Sequence, residues 1–253
     1  MKCVSLIIPA FNEAERIGGT VAEALAYFDA RGTACEIIVS ADGTDATREV
    51  ARALAATREE IKVIGGAARR GKGRGIREAV RIASGDIVGF TDADNKTPIA
   101  EFDKMEPLLR EGADVTIGSR GMKSSTIERP QPLYRRLGSK GFAVFMHSAV
   151  GLKGIVDTQC GFKFFRGDVA RHLFSCQQID GYMFDVEILY LAQQLGYRIE
   201  EVPVRWRDDG DSRLQLLAGN LRNVQDILSI RWRHRAVASA APARVTTGQA
   251  SRL

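Results

Sequence analysis

The sequence predicts an α/β fold, a mostly parallel sheet with helices on both faces. Two observations carry this. Short apolar runs alternate with segments of helical periodicity through the first half of the chain, the pattern of βαβ units. The turns after those runs carry carboxylates and glycines, and open α/β sheets bind ligands at the carboxyl ends of their strands.

Residues 3–8 are a buried-strand run closed by Pro9, and 13–30 place Ile17, Val21, Leu25 and Phe28 at helical spacing. A second strand at 36–39 precedes a helix at 45–56. The third strand, 61–64, ends in Gly65 and Gly66, after which 76–83 resumes as helix. Strand 86–90, helix 99–110 and strand 114–117 complete the alternation.

The strand ends carry the chemistry. Pro9, Ala10, Phe11, Asn12 and Glu13 follow the first strand, and Ala41, Asp42, Gly43, Thr44 and Asp45 the second. Thr91, Asp92, Ala93 and Asp94 follow the fourth, and Gly118, Ser119 and Arg120 the fifth. Carboxylates crowded on one edge repel and require a cation or a hydrogen-bonding ligand. Asp92 and Asp94 can hold Mg2+ or Mn2+ by one or two oxygens while a substrate diphosphate fills the other positions. They can equally cap a helix starting near Pro98, and the sequence leaves both uses open.

The basic stretch 69–77 contains Gly66 to Lys72 in G-x-x-x-x-G-K spacing. Gly73 follows where a P-loop needs Ser or Thr, and the stretch comes after the third strand, which disfavours a nucleoside triphosphatase. A flexible basic loop before a helix amino terminus suits a phosphate or a nucleotide, and a solvated charged turn is the alternative.

At 45% hydrophobic and 26% charged residues the 253-residue chain reads as an ordinary soluble domain, alone or with a small appendage. Its 36 basic and 31 acidic residues give +5, and the segment from Arg205 onward, with nine Arg and four Asp, accounts for the excess. A balanced body with a basic end excludes a nucleic-acid coat and points to an anionic partner touched at one end. No aromatic residue interleaves with the 69–77 charges to stack on bases, so nucleic acid is not expected as a partner. Cys3, Cys35, Cys160 and Cys176 form no C-x-x-C pair and read as reduced thiols of a cytosolic protein. The first apolar stretch is too short for a secretory signal, and no run approaches the ~20 apolar residues of a membrane span.

In this order and spacing, Ser5 to Glu13, Ala41 to Thr47, Arg70 to Gly73 and the Asp92-Ala93-Asp94 triplet resemble the family 2 inverting glycosyltransferases. The resemblance implies their GT-A fold, a Rossmann-like, mostly parallel sheet. Three further stretches look like the polyprenyl-phosphate hexosyltransferases: Asp157 to Phe165 (DTQCGFKFF), Phe184 to Leu189 and Val202 to Trp206. The dolichyl-phosphate glucosyltransferase group is nearest and the mannosyltransferase group beside it. The resemblance covers about residues 3–215. One departure is Ala41, where the family carries the first of two paired aspartates.

The resemblance implies that Pro9, Ala10 and Glu13 line a nucleoside site, with Asp42 near the base, Lys72 in the adjoining loop, and Asp92, Ala93 and Asp94 at the metal and diphosphate. Arg120 and Arg135 match positions facing an acceptor phosphate, and Asp157 sits near the donor sugar in relatives. Phe162, Phe164 and Phe165 read equally as a core strand, with Cys160 a small buried hydrophobe. Asp185 and Glu187 point differently on a helix, so at most one faces the site. His147, His172 and His234 read as surface or core residues.

The implied reaction is inverting transfer of a hexose from a nucleotide sugar, UDP-glucose first, to a polyprenyl phosphate at the membrane surface. GDP-mannose as donor and a soluble acceptor are the alternatives. Expected organisation is a glycosyltransferase domain over 1–212, an amphipathic basic helix over 213–235 and a disordered tail over 236–253. The helix carries Leu214, Leu217, Leu221, Val224, Leu228 and Ile230 among Arg213, Arg222, Arg231, Arg233 and Arg235. It is expected to rest on the cytoplasmic face of a membrane, to pack on the body, or to join a homo-oligomer.

Overall fold

A computed structural model describes residues 3–127, 146, 148–207 and 220–236. Arg135, His147, Arg213, Leu214, Leu217 and residues 237–253 lie outside the described residues, as does the expected boundary at 212/213.

The chain forms β1 (Val4–Phe11), α1 (Ala14–Ala30), β2 (Cys35–Asp42), α2 (Thr47–Ala55), β3 (Ile61–Ile64), α3 (Lys72–Ile82) and β4 (Ile87–Thr91). A 3-10 turn (Ile99–Lys104), α4 (Glu106–Arg110), β5 (Val115–Ser119) and β6 (Thr126–Ile127) follow. The second half gives β7 (Phe162–Arg166), α5 (Gly167–Cys176), α6 (Phe184–Gln194), β8 (Ile199–Pro203), β9 (Arg205–Trp206) and α7 (Asn220–Arg233).

Among the described residues seven strands make one sheet in the order β3-β2-β1-β4-β7-β5-β8, and β6 and β9 pair separately. Within the sheet only β7 is antiparallel to its neighbours. The direction of winding reverses between β1 and β4, which opens a crevice at their carboxyl ends. Because β7 runs backwards, its amino end, where Asp157 to Gly161 arrive, lies at that same edge: Phe162 pairs with Thr91.

Three expectations change. Pro9 does not close β1. Pairing with β4 ends at Ile7, while pairing with β2 continues to Phe11, so proline stands where the strand has only one neighbour. The helix expected over 99–110 is split, because Pro107 cannot donate the backbone bond that would continue it and instead sits in the first turn of α4. Much of the basic loop is helix: α3 begins at Lys72.

The core has two layers. One face packs Val21, Leu25 and Phe28 of α1 with Phe102, Phe162 and Phe164; the other packs Ile76, Phe90, Phe165, Phe174 and Phe184. The alternation in Phe162, Lys163, Phe164 and Phe165 divides these side chains between the layers. Every residue of α6 from Phe184 to Ala192 is buried, so its outer side needs a cover. Helix α7 supplies it with Ile227 and Ile230, and His234 just past its end adds to the cover, each buried, at about 1.5–3 kcal/mol for each isoleucine. The apolar residues of α7 therefore divide: Ile230 faces the body, while Leu221 and Leu228 face away. Among the described residues no helix is long and apolar enough to cross a membrane. All four cysteines are free thiols.

Candidate active site

The end of β1 and the loop after β2 form one wall. Pro9 is half-buried and Ala10 buried at the last turns of β1. Glu13 stands at the start of α1, its N–H donating to Thr47 Oγ1 at 2.8 Å. Asp45 Oδ2 accepts the Ala14 N–H at 3.1 Å, and Oδ1 accepts the Thr47 hydroxyl at 2.6 Å, so this acid ties two helix starts together. A cleft lined by Asn12, Glu13, Ala14, Glu15, Arg16 and Asp45 opens here. Asp42 accepts the Gly66 and Arg70 N–H groups at 3.2 and 2.9 Å and pairs with the Arg70 guanidinium at 3.2 Å. Its carboxylate pins the basic loop, which is held in place and not free as the sequence suggests. The Gly71 backbone has φ +107° and presses on the Asp180 carbonyl, leaving no room for a Cβ.

Asp92 and Asp94 follow β4. Lys72 Nζ lies 2.6 Å from Asp92 Oδ1, and Lys96 Nζ lies 3.5 Å from Asp94 Oδ2. Between them Ala93 is buried and its carbonyl accepts the Thr20 hydroxyl at 2.7 Å, which clamps the loop to α1. Burial, and then the neighbouring Asp92 charge, raise Asp94 above the ordinary carboxylate range. Burial opposes the charge on Lys72, but Asp92 and Asp185 outweigh it and raise its pKa. The 3-10 turn starts after Pro98 with no side-chain cap bond, and Asp94 Oδ1 instead accepts the Lys96 N–H at 3.4 Å within its own loop. Gly161 comes so close that a Cβ there would meet the Asp92 carboxylate; only glycine leaves this acid its place. Among the described residues no cluster of three or more His, Cys, Asp or Glu surrounds a common point. Two hard carboxylates, half-buried and each beside a lysine, fit Mg2+ or Mn2+ completed by phosphate oxygens better than a caged ion.

The third wall joins Arg120, at the end of β5, to Asp157. The guanidinium grips the carboxylate through Nε–Oδ2 at 2.7 Å and Nη2–Oδ1 at 2.9 Å, and the Arg120 N–H adds a bond at 3.0 Å. Burial opposes the charge on Asp157, but Arg120 and these bonds hold its carboxyl at about 2. Glu201 of β8 accepts the Val156 and Asp157 N–H groups at 2.9 and 2.8 Å and fixes that loop.

The motifs hold further residues of the site whose role the sequence does not show. Lys163 is fully buried, 2.7 Å from Asp185 Oδ1 and 2.6 Å from the Cys160 carbonyl. A lone lysine inside a run of phenylalanines, with a lone aspartate in an apolar helix, was the available signal. Trp206 carries the Arg120 guanidinium and the Lys96 ammonium at 5.6 and 5.7 Å from its ring centre. Asp185 and Glu187 do diverge. Glu187 turns away to accept the Gln178 and Ile179 N–H groups and to meet His234 Nε2 at 2.7 Å, so that histidine is a buried core residue. His172 is exposed and bonded to Tyr197. The structure thus brings Lys72, Asp92, Asp94, Arg120 and Asp157 together, with Pro9, Ala10, Glu13 and Asp42 on the adjoining wall.

Residues 5–174 match the family described as Glycosyl transferase family 2. A dolichyl-phosphate beta-glucosyltransferase of Drosophila melanogaster is 33% identical over 91% of this chain and 75% of its own length; that of Homo sapiens is 32% identical over 92% and 76%. Among solved structures, a glucosyl-3-phosphoglycerate synthase from Mycobacterium tuberculosis with Mn2+, UDP and phosphoglyceric acid superposes with a TM-score of 0.68. It shares 22% identity and is covered over 80%, as is 96% of this chain. Mannosyl-3-phosphoglycerate synthase from Rubrobacter xylanophilus gives 0.66 at 20% identity, over 98% of this chain and 78% of that one. These likenesses carry the GT-A fold. With the matched family spanning most of the chain, the protein belongs to the family 2 glycosyltransferases.

Proposed function

We propose that this enzyme moves glucose from UDP-glucose onto a polyprenyl phosphate with inversion, using Mg2+ or Mn2+ held by Asp92 and Asp94. The observation that carries the reading is the meeting of Lys72, Asp92, Asp94, Arg120 and Asp157 at the mouth between β4, β7 and β5. The names of the curated relatives support the sugar and the lipid acceptor. Pro9, Ala10, Glu13 and Asp42 line the nucleoside side, and Lys72 and Ala93 border the diphosphate. A divalent cation supplies charge neutralisation of the departing diphosphate.

A sugar hydroxyl acceptor needs a general base to take its proton. Asp157, locked to Arg120 and held at about 2, is a poor base at neutral pH. A lipid monophosphate needs none, because it is already an anionic nucleophile. Arg120, oriented by Asp157, and Arg135 are the cations assigned to it. Helix α7 provides the approach to the lipid: Leu221, Leu228 and Trp232 are exposed, with Arg222, Arg231 and Arg235 exposed around them. That pattern suits an anionic interface on the cytoplasmic face, with the opposite side of the helix docked on α6.

The test is a panel of UDP-glucose and GDP-mannose with Mn2+, crossed with polyprenyl phosphate and 3-phosphoglycerate. A lipid-linked glucose is expected; transfer only from GDP-mannose, or only to the soluble acid, rejects the reading. Flotation with anionic liposomes should fall when Leu228 and Trp232 are both changed to Ser. Equal flotation rejects the lipid contact.

A further inference from the structure

Each acid of the Asp92–Asp94 pair faces its own lysine, and the two lysines come from different parts of the chain. Lys72 opens α3 and Lys96 follows the pair on its own loop. Their side chains are 17% and 13% exposed, so both ammonium groups are mostly withdrawn from water yet not sealed. Each also lies near aromatic rings: Lys72 at 6.0 and 5.8 Å from Phe90 and Phe184, Lys96 at 5.7 Å from Trp206.

The backbones of both lysines are fixed. Gly71, just before Lys72, is wedged against Asp180, and the Lys96 carbonyl accepts the Arg207 N–H at 2.8 Å. Any rearrangement is therefore confined to the side chains, four-carbon stems that can swing an ammonium by several ångströms. Lys163 is different: at 1% exposure, between Asp185 and the Cys160 carbonyl, it has nowhere to go.

Charge arithmetic then constrains what can enter. Two carboxylates and two ammonium groups are balanced. A divalent ion added alone leaves a doubly positive, partly desolvated cluster, which is costly. A divalent ion added together with a diphosphate, which carries about two to three negative charges, restores the balance to within about one unit, provided the lysines can turn to the phosphate oxygens.

We propose that Lys72 and Lys96 are exchangeable counterions of the Asp92–Asp94 pair, released to phosphate oxygens when a divalent cation takes the carboxylates. The cation is then held tightly only together with its diphosphate. This rests on the nucleotide-sugar reading of the site, and it gives the two lysines a positioning role that couples the two ligands.

The experiment measures Mn2+ binding to the full chain, alone and with saturating UDP or GDP, by electron paramagnetic resonance of free Mn2+. Wild type should bind Mn2+ at least tenfold more tightly with the nucleotide than without it. Lys72→Met with Lys96→Met, which keeps the stems against the rings, should bind Mn2+ alone at least tenfold more tightly than wild type and lose most of the nucleotide effect. Lys72→Arg with Lys96→Arg should retain the wild-type coupling. Met variants that bind Mn2+ alone no better than wild type, or that keep full coupling, overturn the proposal. If the double Met variant does not fold, Lys96→Met alone decides by the same criterion with about half the effect. A wild type that binds neither nucleotide, with or without Mn2+, rejects the nucleotide-sugar reading itself, whereas the nucleotide-free Mn2+ titration judges the lysine exchange on its own.

Discussion

The two edges of the sheet use the same residue types for opposite ends. At the amino edge Glu36, Asp114 and Asp86 close backbone. Glu36 accepts the Ser84 N–H at 2.6 Å, its hydroxyl at 2.9 Å and the Lys62 ammonium at 2.6 Å; Asp114 accepts the Arg198 N–H at 2.9 Å; Asp86 accepts that of Cys3 at 3.1 Å. At the carboxyl edge Asp42 and Asp45 still hold backbone and Asp94 takes one long bond from the Lys96 N–H at 3.4 Å, but Asp92 and Asp94 each face a lysine side chain. A carboxylate tied to main chain cannot leave without unmaking a loop. One tied to an ammonium on a flexible stem can change partner, which suits an edge that must take in a charged ligand and release it.

Three measurements press on this contrast. The largest effect is expected where a carboxyl-edge cation has no exit. Lys163→Met strands the buried Asp185 charge and should cost about 3–5 kcal/mol in urea unfolding, whereas Lys72→Met should cost far less. Next, Asp94→Ala should lower turnover about 10²- to 10³-fold while leaving stability unchanged or slightly raised, because burial and Asp92 already disfavour its charge. A stability loss as large as that of Lys163→Met would make Asp94 an amino-edge acid in the wrong place.

The smallest of the three concerns Glu36. Burial opposes its charge, but Lys62, Ser5 and Ser84 override this and hold the carboxyl at about 2, against 4.5 unperturbed. A depressed carboxyl contributes stability that is complete above the unfolded value and is lost as pH falls through the folded one. Glu36→Gln should therefore cost about 2 kcal/mol at pH 7 and converge on wild type between pH 4.5 and 2, with turnover at pH 7 unaltered. A turnover defect would break the division between the edges.

Much of this is legible in the sequence. The third strand falls at Ile61–Ile64, as its apolar run and the following glycines require, and α1 follows the spacing of Ile17, Val21, Leu25 and Phe28. Asp92, Asp94, Arg120 and Asp157 were found as types, because strand ends and a recognisable order of motifs identify them. Their mutual use was not, since residues 37 positions apart in sequence give no sign that Arg120 grips Asp157 with two nitrogens.

The sequence by itself determined the alternation of strands and helices, and through it which turns share an edge, because periodicity and turn chemistry are local. Only the tertiary structure decided that β7 enters backwards between β4 and β5, bringing Gly161 against Asp92 and burying Lys163 beside Asp185. It also decided which side of α7 meets the body. Those outcomes depend on pairing and burial between distant segments, where the free energy of covering α6 or compensating a buried charge belongs to no single stretch of chain.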